Sequence, residues 1–292
     1  MTRTIAIVSG KGGVGKTTIV ANLGLALASL GKSVILLDAD LDMANLELAL
    51  DMAGRPITMQ EVLTGESTIA DATYEVATNM KFIPAGVSIE QYRRVDPEKL
   101  AKVVAEVSTQ ADFVLIDCPA GIGRDTMACL SAAKENIIIA MPETMSAVDA
   151  FKTKMTGEKM GSETIGLAIN QIRKIRGEES ERDMQTMLEA PIIARIPYDN
   201  DLKISILEKK PLFTRKPNSP AMIEIAKIAA HLTGIEFKPP EKGPGLLQSI
   251  LSKLPFGRKT EKPNSQATQS AKQTQQATKL AMQAKVIQGN KK

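Results

Sequence analysis

The residues best suited to chemistry stand near the start of the chain: Gly10-Lys11-Gly12-Gly13-Val14-Gly15-Lys16-Thr17, followed by Thr18. They satisfy the spacing G-x-x-x-x-G-K-[ST], in which each residue type has a physical task. The glycines let successive backbone N–H groups turn inward around phosphate oxygens. Lys16 brings positive charge to the β and γ phosphates of a nucleotide, and Thr17 brings a hydroxyl to Mg²⁺. A helix starting here adds the positive end of its dipole to the same anion. The string alone could arise by chance, so its surroundings decide. An apolar β-branched run, Thr4–Val8, precedes it, and Thr17–Leu30 follows with apolar residues at helical spacing until Gly31. Strand before and helix after is the context a phosphate-binding loop requires.

The elements that must position this loop recur along the chain. Short apolar runs appear at Thr4–Val8, Val34–Leu37, Met80–Ile83, Phe113–Ile116, Ile137–Ala140, Ile165–Ile169 and Ile192–Ile196. Their hydrophobicity is continuous rather than alternating, which marks strands buried on both faces, as in parallel sheets. Helical patterns lie between them. Pro97–Val107 starts with Asp96 as N-cap and Pro97 at the first helical position, and Pro220–Leu232 is capped by Ser219. This repetition predicts a doubly wound, mostly parallel α/β sheet of P-loop topology. Ligands of such a sheet bind at the carboxyl ends of its strands. One run, FVLI, closes on Asp117, placing a carboxylate toward the water shell of the metal.

Composition bounds the rest. Apolar residues at 43% and charged residues at 24% are ordinary for a globular chain. The opening MTRTIAIVSGKGG carries no secretory signal, and no run reaches the roughly 18–20 apolar residues of a membrane span. Cys118 and Cys129 fall in apolar surroundings, so buried thiols and a reducing, cytoplasmic compartment are expected. The net charge of +4 hides an asymmetry. Residues 241–292 hold ten Lys/Arg against two acids, a balance of +8, which leaves −4 for residues 1–240. An anionic partner is therefore expected to meet the tail.

Within the loop, the second lysine, Lys11, gives KGGVGKTT, which resembles the deviant Walker A motif of the MinD/ParA class of ATPases. The resemblance implies ATP and Mg²⁺ as ligands, and a homodimer, formed with ATP, in which Lys11 reaches the partner's phosphates. There it would stabilise developing charge as an arginine finger does. Asp38-Ala39-Asp40 through Asn45 is similar to the family's first switch, D-x-D-x-x-x-x-N. It implies that Asp38 lies near the magnesium shell and that Asp40 positions or activates the attacking water. Asp117-Cys118-Pro119-Ala120-Gly121 is similar to the second switch. Pro142, Glu143, Ser146 and Asp149 match N-P-E-x-x-S-x-x-D, with Met141 in place of Asn, and imply dimer or partner contacts at Glu143 and Asp149. Asn170 is implied to meet the adenine edge, although Gln171 replaces the Arg that usually follows it. Pro197 and Asp199 match a second adenine-facing loop. The resemblance covers roughly residues 1–235 and predicts an ATPase domain over 1–237.

Sister families make demands that this chain does not meet. The C-x-x-C of iron–sulfur scaffold ATPases is missing, and the spacing of Cys118 and Cys129 does not suit a shared cluster. DNA-binding segregation ATPases of the ParA type use basic surface, for which Arg173–Arg176, Lys203–Lys216 or the tail are the candidates. Beyond the domain, a Pro/Gly hinge is expected at 238–245 (PPEKGPG within it), an amphipathic helix at 246–257 and a basic, low-complexity, disordered tail at 258–292. At 100° per residue, Leu246, Leu247, Ile250, Leu251 and Leu254 fall within a sector of about 140°. Pro255 stops the helix beside Phe256, Arg258 and Lys259. The segment is too short to span a bilayer but suits the interface of an anionic membrane. It resembles the membrane-targeting sequence of MinD proteins, with an added tail. The expectation is a slow, partner-stimulated ATPase that cycles between cytoplasm and the inner face of the cell membrane. Its role would be spatial positioning, such as division-site placement, with an activator or cargo protein the sequence does not identify. The alternatives are non-specific DNA binding and an ATP-binding scaffold without turnover.

Overall fold

A computed structural model describes residues 2–86, 88, 90 and 93–237 of the chain. The expected hinge at 238–245, membrane helix at 246–257 and tail at 258–292 lie outside the described residues, and with them Leu246, Leu247, Ile250, Leu251, Leu254 and Phe256.

Among the described residues there are eight strands: β1 (Arg3–Val8), β2 (Val34–Asp38), β3 (Tyr74–Ala77), β4 (Met80–Ile83), β5 (Phe113–Asp117), β6 (Glu135–Ala140), β7 (Glu163–Ile172) and β8 (Ile192–Pro197). They form one sheet in the order β3-β4-β2-β5-β1-β6-β7-β8. Every pairing is parallel except β3 with β4. The helices are α1 (Lys16–Ser29), α2 (Leu46–Ala49), α3 (Met59–Thr64), α4 (Leu100–Val107), α5 (Arg124–Ala132), α6 (Thr144–Met160), α7 (Glu181–Leu188), α8 (Asn200–Leu207), α9 (Leu212–Arg215) and α10 (Pro220–Thr233). A 3₁₀ turn, Pro97–Lys99, leads into α4.

The strand sequences explain the layering. Successive side chains point to opposite faces of a strand, and both faces here are apolar. Ile5 and Ile7 of β1 join the core beneath α1 and α10, whereas Ala6 and Val8 join the core beneath α4, α5 and α6. Val34 and Leu36 of β2 divide from Ile35 and Leu37 in the same way. The doubly wound, mostly parallel architecture expected from the continuous apolar runs is what these residues build.

Helix ends follow local chemistry. Thr58 and Glu61 make a capping box on α3, and the Ser219 hydroxyl accepts from Met222 N at 3.2 Å to start α10. The Asp96 carboxylate accepts from Glu98 N at 3.2 Å. The strand outside the continuous apolar runs is β3. It joins the sheet's edge through a two-residue connection, Thr78–Asn79, with Asn79 at φ +63°. Its sequence, YEVA, alternates exposed and half-buried positions, as an edge strand covered on one side should.

Candidate functional site

The strand order brings the ends of β2, β5, β1 and β6 side by side, and the glycine-rich loop emerges between them. Gly15, at φ +91°, is the N-cap of α1, and Lys16 is its first residue. A Cβ at Gly15 would lie 2.5 Å from Asn170 Nδ2, and one at Gly10 would lie 2.4 Å from the backbone carbonyl of Asp149 in α6. The loop is thus pressed between α6 on one side and the end of β7 on the other. Two amides from β7 hold it there: Asn170 Nδ2 donates to Val14 O at 2.6 Å, and Gln171 Nε2 donates to Gly13 O at 3.1 Å. The Ser9 hydroxyl donates to Lys11 O at 3.0 Å, and Ser9 O accepts from Gly121 N at 2.8 Å. The segment after β5 is therefore bonded to the base of the loop. Val14 is buried, Gly12 is exposed, and Thr17 and Thr18 are half-buried.

A buried charge cluster lies under the loop. Lys16 Nζ stands 2.9 Å from Asp117 Oδ1, with side-chain exposures of 7% and 1%. Burial by itself would lower the pKa of Lys16, but the Asp117 carboxylate outweighs it and the amine is held charged. Asp38 faces Asp117 across the β2–β5 register. The Asp38 carboxylate accepts from Asp40 N at 3.1 Å and from Leu46 N at 3.2 Å, so it organises the turn between β2 and α2. Burial, and then the neighbouring Asp117, push its pKa well above the usual carboxylate value. Asp40 is half-buried and accepts from Met43 N at 3.0 Å. Its pKa is also raised, by burial, against the opposing pull of that hydrogen bond and of Lys16.

Lys11 is exposed and lies 3.7 Å from Glu143 Oε2. Ser146 accepts from Met141 N at 2.9 Å, which shapes the turn before α6. Asp149 pairs with Lys152 at 3.2 Å, one turn of the same helix.

Two cavities adjoin the loop. One, of about 570 Å³, runs between the segments that follow β2 and β5 and is lined by Asp40, Met43, Pro119, Ala120 and Arg124 among others. The other, of about 330 Å³, opens beside Gly13, Gly15 and Thr18 and is walled by Asn170, Pro197, Tyr198 and Asp199. Asn170 is 1% exposed, and its Oδ1 is buried with no hydrogen-bond partner. Asp199 reaches this cavity, but its carboxylate caps α8 by accepting from Asp201 N at 2.8 Å and lies 3.3 Å from Ala221 N. One contact at this cavity has no counterpart in the sequence pattern: the Arg173 guanidinium lies 4.4 Å from the centroid of the Tyr198 ring. The sequence held no signal for it, because the two residues meet only once β7 and β8 pair.

The donor set is that of a magnesium–nucleotide site. Among the described residues no three His, Cys, Asp or Glu form a metal cage, whereas Mg²⁺ needs only one or two carboxylates with substrate phosphates and water. Both cysteines are buried and unpaired in disulfides.

Comparison with known proteins agrees with this geometry. The family described as "ParA: NUBPL iron-transfer P-loop NTPase" matches residues 1–233. The chain is 42% identical to an uncharacterised ATP-binding protein of Methanocaldococcus jannaschii over 82% of its own length and 90% of that protein's. It is 34% identical to the septum site-determining protein MinD of Synechocystis, over 80% and 90%. MinD of Pyrococcus horikoshii, solved with Mg-ADP, superposes with a TM-score of 0.77 at 36% identity, covering 80% of this chain and 96% of that one. The chain belongs to the MinD/ParA family of P-loop NTPases.

Proposed function

We propose that this protein binds Mg-ATP, hydrolyses it, and uses the nucleotide state to switch between a monomer and a membrane-associated dimer. The observation that carries the reading is the convergence of Lys16, Asp38, Asp40 and Asp117 under one glycine-rich loop. Bound Mg-ATP supplies the phosphoryl group that is cleaved. Thr17, Asp38 and Asp117 are the residues suited to hold the metal, and Lys16, released from Asp117, would pair with phosphate. Backbone N–H groups of Gly10–Thr18 orient the triphosphate. Asp40, kept near the first switch with a raised pKa, takes the proton of the attacking water, a task for which a carboxylate above its ordinary pKa is better matched. The orphaned Oδ1 of Asn170 can accept from the amino group of adenine, whereas guanine would oppose it with a carbonyl. Pro197 and the backbone at Asp199 complete that wall.

Dimerisation is supported by the surface around Lys11. Met43 after β2, Ile122 after β5 and Met145 after β6 are 68%, 46% and 72% exposed, all at the same end of neighbouring strands. An apolar rim around a lysine that reaches outward suits a second copy facing the first, with Lys11 contributing to the partner's site. Glu143 and Asp149 sit beside that rim.

Membrane association is supported by the sequence of 246–257. Five aliphatic side chains contribute at most about 7–15 kcal/mol if fully buried, and ordering the segment costs roughly 1–2 kcal/mol per residue. One copy therefore binds weakly. Two copies in a dimer bind with an avidity gain on the order of 10² or more, so hydrolysis releases the membrane. Positioning of a cellular structure, such as the division site, is the use this cycle suits. Steady-state phosphate release with ATP, with and without anionic liposomes, tests the reading. Turnover stimulated by lipid agrees with it, and bound ATP without turnover would make the protein a scaffold instead.

A further inference from the structure

We infer that Arg173, backed by Tyr198, forms the platform on which the base of the bound nucleotide stacks. The inference rests on the nucleotide reading above and adds to it the side chains that hold the face of the base. Gln171 cannot serve, because its side chain is spent on Gly13 O and its backbone sits at φ +60°. Two residues further along, the chain sends Arg173 to the same cavity as Asn170 and Pro197. Tyr198 lies against the guanidinium at 4.4 Å, and Arg173 is exposed and lines the cavity beside the loop. A guanidinium is planar and weakly hydrated and stacks well on π-systems. A nucleobase offers such a face whatever its edge.

The local backbone is built to hold this arginine. The Glu178 carboxylate accepts from Arg173 N and from Lys174 N, both at 2.8 Å, which fixes a turn whose second residue sits at φ +58°. Tyr198 N donates to Ile172 O at 2.9 Å, which holds the backbone of Tyr198 beside the end of β7. Asn170 would read the edge of the base while the Arg173–Tyr198 pair supports its face.

The test is calorimetric titration of the full chain with ATP and with inorganic tripolyphosphate, each with Mg²⁺. Arg173→Ala, Arg173→Lys and Tyr198→Ala should each bind ATP about tenfold more weakly, with tripolyphosphate affinity unchanged. Tyr198→Phe, which keeps the ring, should match the wild type. Lysine retains the charge but not the plane, so wild-type ATP affinity in Arg173→Lys would overturn the stacking role. Equal weakening of ATP and tripolyphosphate in Arg173→Ala would overturn it as well, since the arginine would then be reading phosphate. Failure of the wild-type chain to bind ATP would overturn the nucleotide reading itself and this inference with it.

Discussion

Lys16 Nζ and Asp117 Oδ1 are paired at 2.9 Å in a place almost closed to water. The amine suited to grip phosphate and the carboxylate suited to face the metal thus neutralise each other beneath the loop. Asp40 adds a further carboxylate near Lys16, while burial and Asp117 push the Asp38 carboxyl toward its neutral form. A phosphate chain entering the loop would offer Lys16 a second anion, and the metal would offer the carboxylates a second cation.

Breaking that pair should be costly. Lys16→Ala leaves Asp117 buried beside Asp38 with no cation, and removing one partner of a buried pair typically costs about 3–5 kcal/mol. Urea unfolding should register that loss, and Lys16→Ala/Asp117→Asn should recover part of it. An unchanged unfolding midpoint in Lys16→Ala would contradict the pairing.

Asp40→Ala should keep ATP binding and lose turnover by a factor of about 10²–10⁴, the range of a general base. Single-turnover hydrolysis beside equilibrium ATP binding separates the two effects. Unimpaired hydrolysis would remove Asp40 from the mechanism.

The pH dependence has a definite sign. A base works ionised, and burial raises the pKa of Asp40. Its activity is present above that raised pKa and is lost as pH falls through it. The acid limb of turnover against pH should therefore lie above the ordinary aspartate value of about 3.9. A limb at or below that value would contradict the role.

How much of this was legible beforehand depends on range in sequence. Seven strands could be read because buried parallel strands are apolar throughout, and β3 could not, because YEVA is short and half exposed. The placing of Gly10–Thr18 from the end of β1 into the first turn of α1 is local and was readable. Asp38 and Asp117 close apolar runs, so their positions at strand ends were readable too. What the sequence hid are contacts set by strand order. Asn170 reaches Val14 across 156 positions, and Arg173 meets Tyr198 only because β7 and β8 are neighbours. The use of the Asp199 carboxylate as a helix cap was equally hidden, since a family motif records the residue and not its hydrogen bonds.

Lys11 should matter between chains rather than within one. Its contact in the single chain is a long, exposed one to Glu143, worth little to stability. Lys11→Ala should bind nucleotide as a monomer about as well as the wild type, yet fail to dimerise with ATP. Light scattering after size exclusion, using a hydrolysis-deficient Asp40→Ala background, reads this directly. An ATP-dependent dimer of normal stability in Lys11→Ala would refute the cross-dimer contact.

ATP should couple the folded domain to a lipid surface through the segment after it. Sedimentation with anionic liposomes, in ATP and in ADP, compares the full chain with its Ile250→Asp/Leu251→Asp variant. The full chain should pellet with ATP and stay in solution with ADP, and the variant should stay in solution in both. Pelleting that ignores the nucleotide, or that survives the two aspartates, would contradict it.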